Sequence, residues 1–168
     1  MKIFTHWRLP VIGASVAALL LLGAVSVSYL AIDLNPGDQV SVHLDNVTLS
    51  SASSGAGDSF PIVAAQAFLA QGNVAIISGA TGQGHVVSVT PPKNGKPAAL
   101  AVQLDWITAV DGQHVALWAT KKGDPLIFGA GGPFEANYSK DKPVTVGPDV
   151  VITGFVSQQR TIQINTAQ

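Results

Sequence analysis

"HVVSVTPPKNGKPAALAVQLDWITAVDGQHVALWAT" (residues 85–120) reads as strand, turn, strand, turn, strand. "HVVSVT" is valine-rich, and the "PPKNGKPA" behind it contains Asn94-Gly95, a strong short hairpin signal. In "LAVQLDWITAV" the residues Val102, Leu104 and Trp106 share one face by period-two alternation, which places Trp106 in the core. "DGQ" (111–113) is a second tight turn, with Asp111 and Gly112 at its bend, and "HVALWAT" runs back from it. Two hairpins in series, with polar tips and apolar flanks, predict an antiparallel sheet.

Upstream, "GATGQG" (79–84) places three glycines in six positions between "VAIIS" and "HVVSVT". A phosphate-binding P-loop requires Gly-Lys followed by Ser or Thr, and here His85 follows Gly84. A dinucleotide fingerprint requires the glycines to open a helix, whereas a valine-rich strand follows. Gly79, Gly82 and Gly84 are therefore read as a bend between strands. "LNPGDQVSVHLDNV" begins with a turn at Gly37 and alternates Val40, Val42 and Leu44 against polar neighbours. "TLSSASSGAGDS" is a small-residue loop with a turn at Gly57-Asp58. "FPIVAAQAFLAQGN" suits a strand or a short helix, and "VVITGFVSQQRTIQIN" alternates again near the end. No long helical period appears in the body. The expected class is all-β, a single antiparallel β-barrel or β-sandwich domain.

The N-terminus differs. Lys2 and Arg8 precede a run from Leu9 to Ile32 without a charged side chain, the layout of a secretory leader. Small residues at Ser26 and Ser28 suit cleavage, while the run of 24 residues is also long enough to cross a bilayer of roughly 30 Å. Residues 1–32 are thus expected to be a signal peptide or signal anchor, an N-terminal hydrophobic helix preceding an exported β-domain at 33–168. Either outcome puts the body outside the cytoplasm, in the periplasm or at the cell surface, released or anchored in the inner membrane.

Composition narrows the chemistry. Only 11% of residues are charged and the net charge is −1, so there is no basic footprint for nucleic acid. The absence of cysteine removes thiolate catalysis, cysteine zinc sites and a disulfide framework. His43, His85 and His114 lack metal-ligand spacing, and no G-x-S-x-G elbow occurs. One glutamate, Glu135, stands among aspartates that mostly flank turn glycines. No enzyme, cofactor or metal site is expected. Trp118, Phe134 and Tyr138 are the candidates for an exposed aromatic binding surface.

The stretches "PGDQVSVHLDNVTLSS", "GAGDSF", "GNVAIISGATGQGHVVSV", "ALAVQLDWITAVDGQHVAL" and "GFV" resemble small exported β-domains of the bacterial cell envelope. The match falls on Pro36, Gly37 and Asp38, on Ser50 and Ser51, on Gly57 and Asp58, on Gly79, Ala80 and Gly84, and on Asp111 and Gly112. It covers most of residues 34–156. The resemblance implies a compact barrel-like module with no recognised catalytic residues. A looser similarity to β-rich domains of secretion and conjugation machines implies a role in assembly. The expected function is a non-catalytic cell-envelope domain that is structural or binds an envelope protein. The alternative is a glycan-binding module. Membrane contact is expected through the N-terminal segment if that segment is not cut.

Overall fold

The computed structural model describes residues 28–165, apart from Asn94, Lys96, Phe134, Ala136, Asn137, Ser139 and Lys140. The expected N-terminal helix lies outside the described residues. The remainder is all-β. In chain order the strands are β1 (Tyr29–Leu34), β2 (Gln39–Leu44), β3 (Leu49–Ser50), β4 (Ser59–Ala64), β5 (Phe68–Ala70), β6 (Asn73–Ile76) and β7 (Thr81–Thr90). They continue as β8 (Ala99–Thr108), β9 (His114–Trp118), β10 (Leu126–Gly129), β11 (Thr145–Val146), β12 (Ile152–Val156) and β13 (Arg160–Asn165).

Six strands close into an antiparallel barrel in the order β8-β7-β4-β2-β12-β9, and β9 returns to β8 through Trp106↔Ala116 and Thr108↔His114. The barrel, not the sandwich, is the architecture. Alternation drives the closure: Val40, Val42 and Leu44, then Phe60, Ile62 and Ala64, then Leu100, Val102 and Leu104 all point inward and are buried. Full burial of a side chain such as Ile62 or Phe60 contributes about 1.5–3 kcal/mol.

A six-stranded barrel is too narrow for a large side chain at every inward position. The relief comes from glycine. Gly82 and Gly84 lie inside β7, not in a turn, and the structure corrects the sequence reading of both. Gly84 faces Phe60 across the β4–β7 ladder, and Gly154 on β12 makes room for Leu104 and Leu117. The bend between β6 and β7 is carried by Gly79 alone of the three, with φ +80°. Gly37, Gly57 and Gly112 are turn glycines as expected. Asp58 caps its turn by accepting the Gly55 N–H at 2.6 Å. A Cβ at Gly79 would meet nothing within 4 Å, so Gly79→Val should cost only the left-handed backbone strain. That strain is about 1–2 kcal/mol, readable as a lower urea midpoint with an unchanged slope.

Two short layers cover the barrel ends. One end is covered by the β1–β13 pair, with Ile32, Leu34 and Ile162 buried, and by the β5–β6 hairpin, with Ala70, Ala75 and Ile76 buried. The ambiguous "FPIVAAQAFLAQGN" is thus strand twice, as β4 and β5. β1 takes up Tyr29–Ile32, so the last four residues of the uncharged run belong to the folded domain. The other end is covered by β3–β11 and the loops around them. There Ser51 accepts the Val144 N–H at 2.9 Å through Oγ while its own N–H reaches the Val144 carbonyl at 2.9 Å.

Asp111 fastens the first end. Its carboxylate accepts the Gln163 N–H at 2.9 Å, the Gln113 N–H at 3.0 Å and the Gln113 Nε2 at 2.6 Å. Desolvation by burial works to raise its pKa, but these hydrogen bonds together outweigh it and hold the carboxyl below the ordinary value for an aspartate. A depressed folded pKa contributes stability that is full above the unfolded value and is lost as pH falls through the folded one. Stability of the native chain should therefore drop on acidification below the ordinary carboxylate range. Asp111→Asn should show a shallower drop, measured by urea unfolding at pH 7 and pH 3.

Candidate functional site

An apolar hollow arises where the β8 edge forks. Ala99–Val102 pair with β10, and Trp106–Thr108 pair with β9 on the same edge. Gln103 sits at the fork. Its Oε1 accepts the Ala119 N–H at 2.7 Å and the Leu104 N–H at 3.2 Å, and its Nε2 donates to the Gly123 carbonyl at 2.9 Å. One side chain thus ties β8 to the segment leaving β9.

Beyond the fork β10 and β12 stand apart, and a groove of about 320 Å3 lies between them. Leu126, Phe128, Ile152 and Phe155 supply its apolar wall, with Pro133 and Val151 at its border. Thr120, Thr153 and Lys121 add two hydroxyls and one ammonium. This lining brings no carboxylate or imidazole into the groove, so the arrangement offers shape and a cation for binding, without a general base.

The groove also exposes backbone. β9 ends at Trp118 and pairs only with Phe155 and Val156 of β12. Val156 bonds on the β2 side, donating to the Asp38 carbonyl and accepting from the Gly37 N–H, both at 2.8 Å. Alternation then turns the N–H and C=O of Thr153 the other way, into the groove. Among the described residues no backbone group pairs with Thr153 on that side.

The aromatic residues singled out from sequence divide. Trp118 stands beside Phe155 across the β9–β12 ladder, is 38% exposed, and lays its ring over Gly123 at the groove's edge. Phe134 lies outside the described residues, next to Pro133. Tyr138 is half-buried against the core, and burial pushes its hydroxyl pKa up from 10.0. It does not line the groove. Trp106, expected inside, is half-buried on the outer wall and stacks on His114, ring centroids 3.7 Å apart at 7°. A β-bulge explains the slip: β8 carries an extra residue at Asp105, opposite Gln83/Gly84, so Leu104 and Ile107 point inward while Trp106 does not.

The same bulge sets Asp105 beside His85, Oδ1 to Nδ1 at 2.8 Å. Ser59 is the partner of His85 across β4–β7, so serine, histidine and aspartate stand in a row on three neighbouring strands. The shallow hollow beside them is lined by Ser59, Phe60, Pro61, Gly82, Gln83 and Trp106 but not by His85. That hollow does not bring the serine and the imidazole together on one reacting group. We read the His85–Asp105 contact as a cross-strand hydrogen bond on the outer wall. Sequence spacing gave no signal for it, since the residues are brought together by register alone. Among the described residues no group of three His, Asp or Glu side chains is placed to hold a metal ion.

No protein-family model matches the chain, and no curated protein matches it.

Proposed function

We propose that this chain is a non-catalytic exported domain of the cell envelope that grips an extended segment of a partner protein in the groove between β10 and β12. The observation that carries the reading is the outward-facing Thr153 backbone at an apolar groove. An extended peptide adds to such an edge by main-chain hydrogen bonds and places alternate side chains in the pocket beside it. Phe128 and Phe155 would take an apolar side chain, and Lys121 favours an acidic residue next to it. Export is supported by the leader composition of residues 1–32.

The test is a photo-crosslinking side chain at Val151, which is 61% exposed at the groove's border, in the full chain in its native cells. The expected result is one discrete envelope-protein adduct. Thr153→Pro, which removes the N–H donor, and Phe155→Ser should each weaken that partner's binding about tenfold or more, the equivalent of roughly one hydrogen bond to an edge. A chain that forms no adduct and stays monomeric after envelope cross-linking would count against the proposal.

The alternative, glycan binding, is favoured by Trp118 alone, whose partly open ring could stack on a sugar. Its test is Trp118→Ala on a glycan array. Loss of a reproducible sugar signal, with the Val151 adduct absent, would move the reading to glycans.

A further inference from the structure

Nine large apolar side chains are exposed among the described residues, and six of them gather at the barrel end covered by β1–β13 and β5–β6: Tyr29, Leu30, Leu69, Val74, Ile77 and Val110. They are connected. Leu69 and Val74 are opposite each other across the β5–β6 hairpin, and the Val110 N–H donates to the Ala75 carbonyl at 3.0 Å. Tyr29 and Val110 border one hollow of about 560 Å3, and β1 touches β5. Exposed apolar groups clustered on one end of a domain mark a contact surface.

Chain connectivity says what meets this surface. The uncharged run from Leu9 reaches Ser28, and β1 begins at Tyr29 with no linker between. Leu9–Ser28 is 20 residues without a charged side chain, about the number of apolar residues that a bilayer's hydrocarbon core takes. Ile32, three residues past Tyr29, is already buried. A strand rises only about 3.3 Å per residue, so the barrel end lies against whatever surface the run enters. Tyr29 itself, 63% exposed at the end of the run, is the residue type that gathers at membrane–water interfaces. The charge distribution agrees. The described lysines, Lys93, Lys121, Lys122 and Lys142, all lie on loops of the opposite end. The charged groups near the apolar end are fewer: Asp33, Asp38, Asp111 and Arg160.

We infer that the uncharged run at residues 9–28 is kept in the chain and holds it at the membrane, and that the end bearing Leu69, Val74, Ile77 and Val110 rests on the lipid surface. The occupant of this apolar rim is the bilayer interface. The groove at Thr153 is carried on the barrel wall toward the far end, away from the lipid. This rests on the export reading and adds that the domain is tethered and oriented, not released.

The chain has no cysteine, so single-cysteine variants report one position each. Leu69→Cys, Val74→Cys and Val110→Cys mark the apolar end, and Asp58→Cys, Lys122→Cys and Asp149→Cys the opposite one. Each full-length variant carries an environment-sensitive nitrobenzoxadiazole label. Each is reconstituted in phosphatidylethanolamine–phosphatidylglycerol vesicles with and without lipid spin-labelled near the headgroup. The expected result is blue-shifted emission, quenched by the spin-labelled lipid, at 69, 74 and 110, and water-like unquenched emission at 58, 122 and 149. Equal, water-like emission at both ends overturns the inference. So does blue-shifted emission at the apolar end that spin-labelled lipid leaves unquenched, because that pattern means a protein neighbour. A native chain that begins at Tyr29 and fractionates free of membrane also overturns it, yet leaves export standing. Retention of the whole chain in the cytoplasm defeats export itself.

Discussion

Gly82→Ala and Gly84→Ala are each expected to destabilise the domain by roughly 3 kcal/mol, more than any turn glycine of the same stretch. A Cβ on Gly84 would stand 2.6 Å from the Gln103 carbonyl oxygen and 2.7 Å from the Phe60 ring. A Cβ on Gly82 would drive into the Trp106 carbonyl and reach the Ile107 Cα and Ile62 Cγ1 at 3.0 Å. The obstacle is the backbone of β8 in both cases, and backbone in a closed barrel yields only by shifting a strand. Phe60→Leu should recover part of the Gly84→Ala loss, because it frees the ring contact but not the carbonyl contact. Urea unfolding followed by the fluorescence of Trp106 and Trp118 measures all of these. If Gly84→Ala fell no further than Gly79→Ala, where nothing lies within 4 Å, the packing role assigned to Gly84 would be wrong.

That contrast shows what could be read in advance. Alternation in "QVSVHL" and the turns at Gly37, Gly57, Gly79 and Gly112 were legible because they are local: side-chain period and backbone sign follow from neighbouring residues. Gly84 was not, because what excludes a side chain there is Phe60 and Gln103, brought up by register across two ladders. Trp106 failed for the same reason. One extra residue in β8 reverses its face, and no feature of "LDWIT" announces the bulge. The candidate groove was legible only at its edge, through Trp118. Its body depends on β8 serving two partners along one edge, a property of the closed barrel rather than of any segment. The hydrophobic leader was conspicuous in composition, but where it hands over to the fold was not, because Tyr29–Ile32 suits a span and a strand equally well.

Gln103→Leu is the second large effect, expected at about 2–3 kcal/mol with a disproportionate loss at the groove. Leucine keeps the volume but removes the acceptor for the Ala119 and Leu104 N–H groups and the donor to the Gly123 carbonyl. Each orphaned partly buried partner costs about 1–3 kcal/mol unless water reaches it. The segment from Ala119 to Gly123 then loses its tie to β8, and with it the support of Thr120 and Lys121 in the groove and of the Trp118 ring lying on Gly123. Hydrogen exchange should localise the effect. The Ala119 amide should lose protection well before the amides of β2 and β4, which lie across the barrel and keep their ladders. A groove that works by strand addition needs its two walls at a fixed separation, so crosslinking from Val151 should fall further in Gln103→Leu than global unfolding accounts for. A uniform loss of protection over the whole barrel would instead make Gln103 a general stability residue and separate the fork from the function proposed for it.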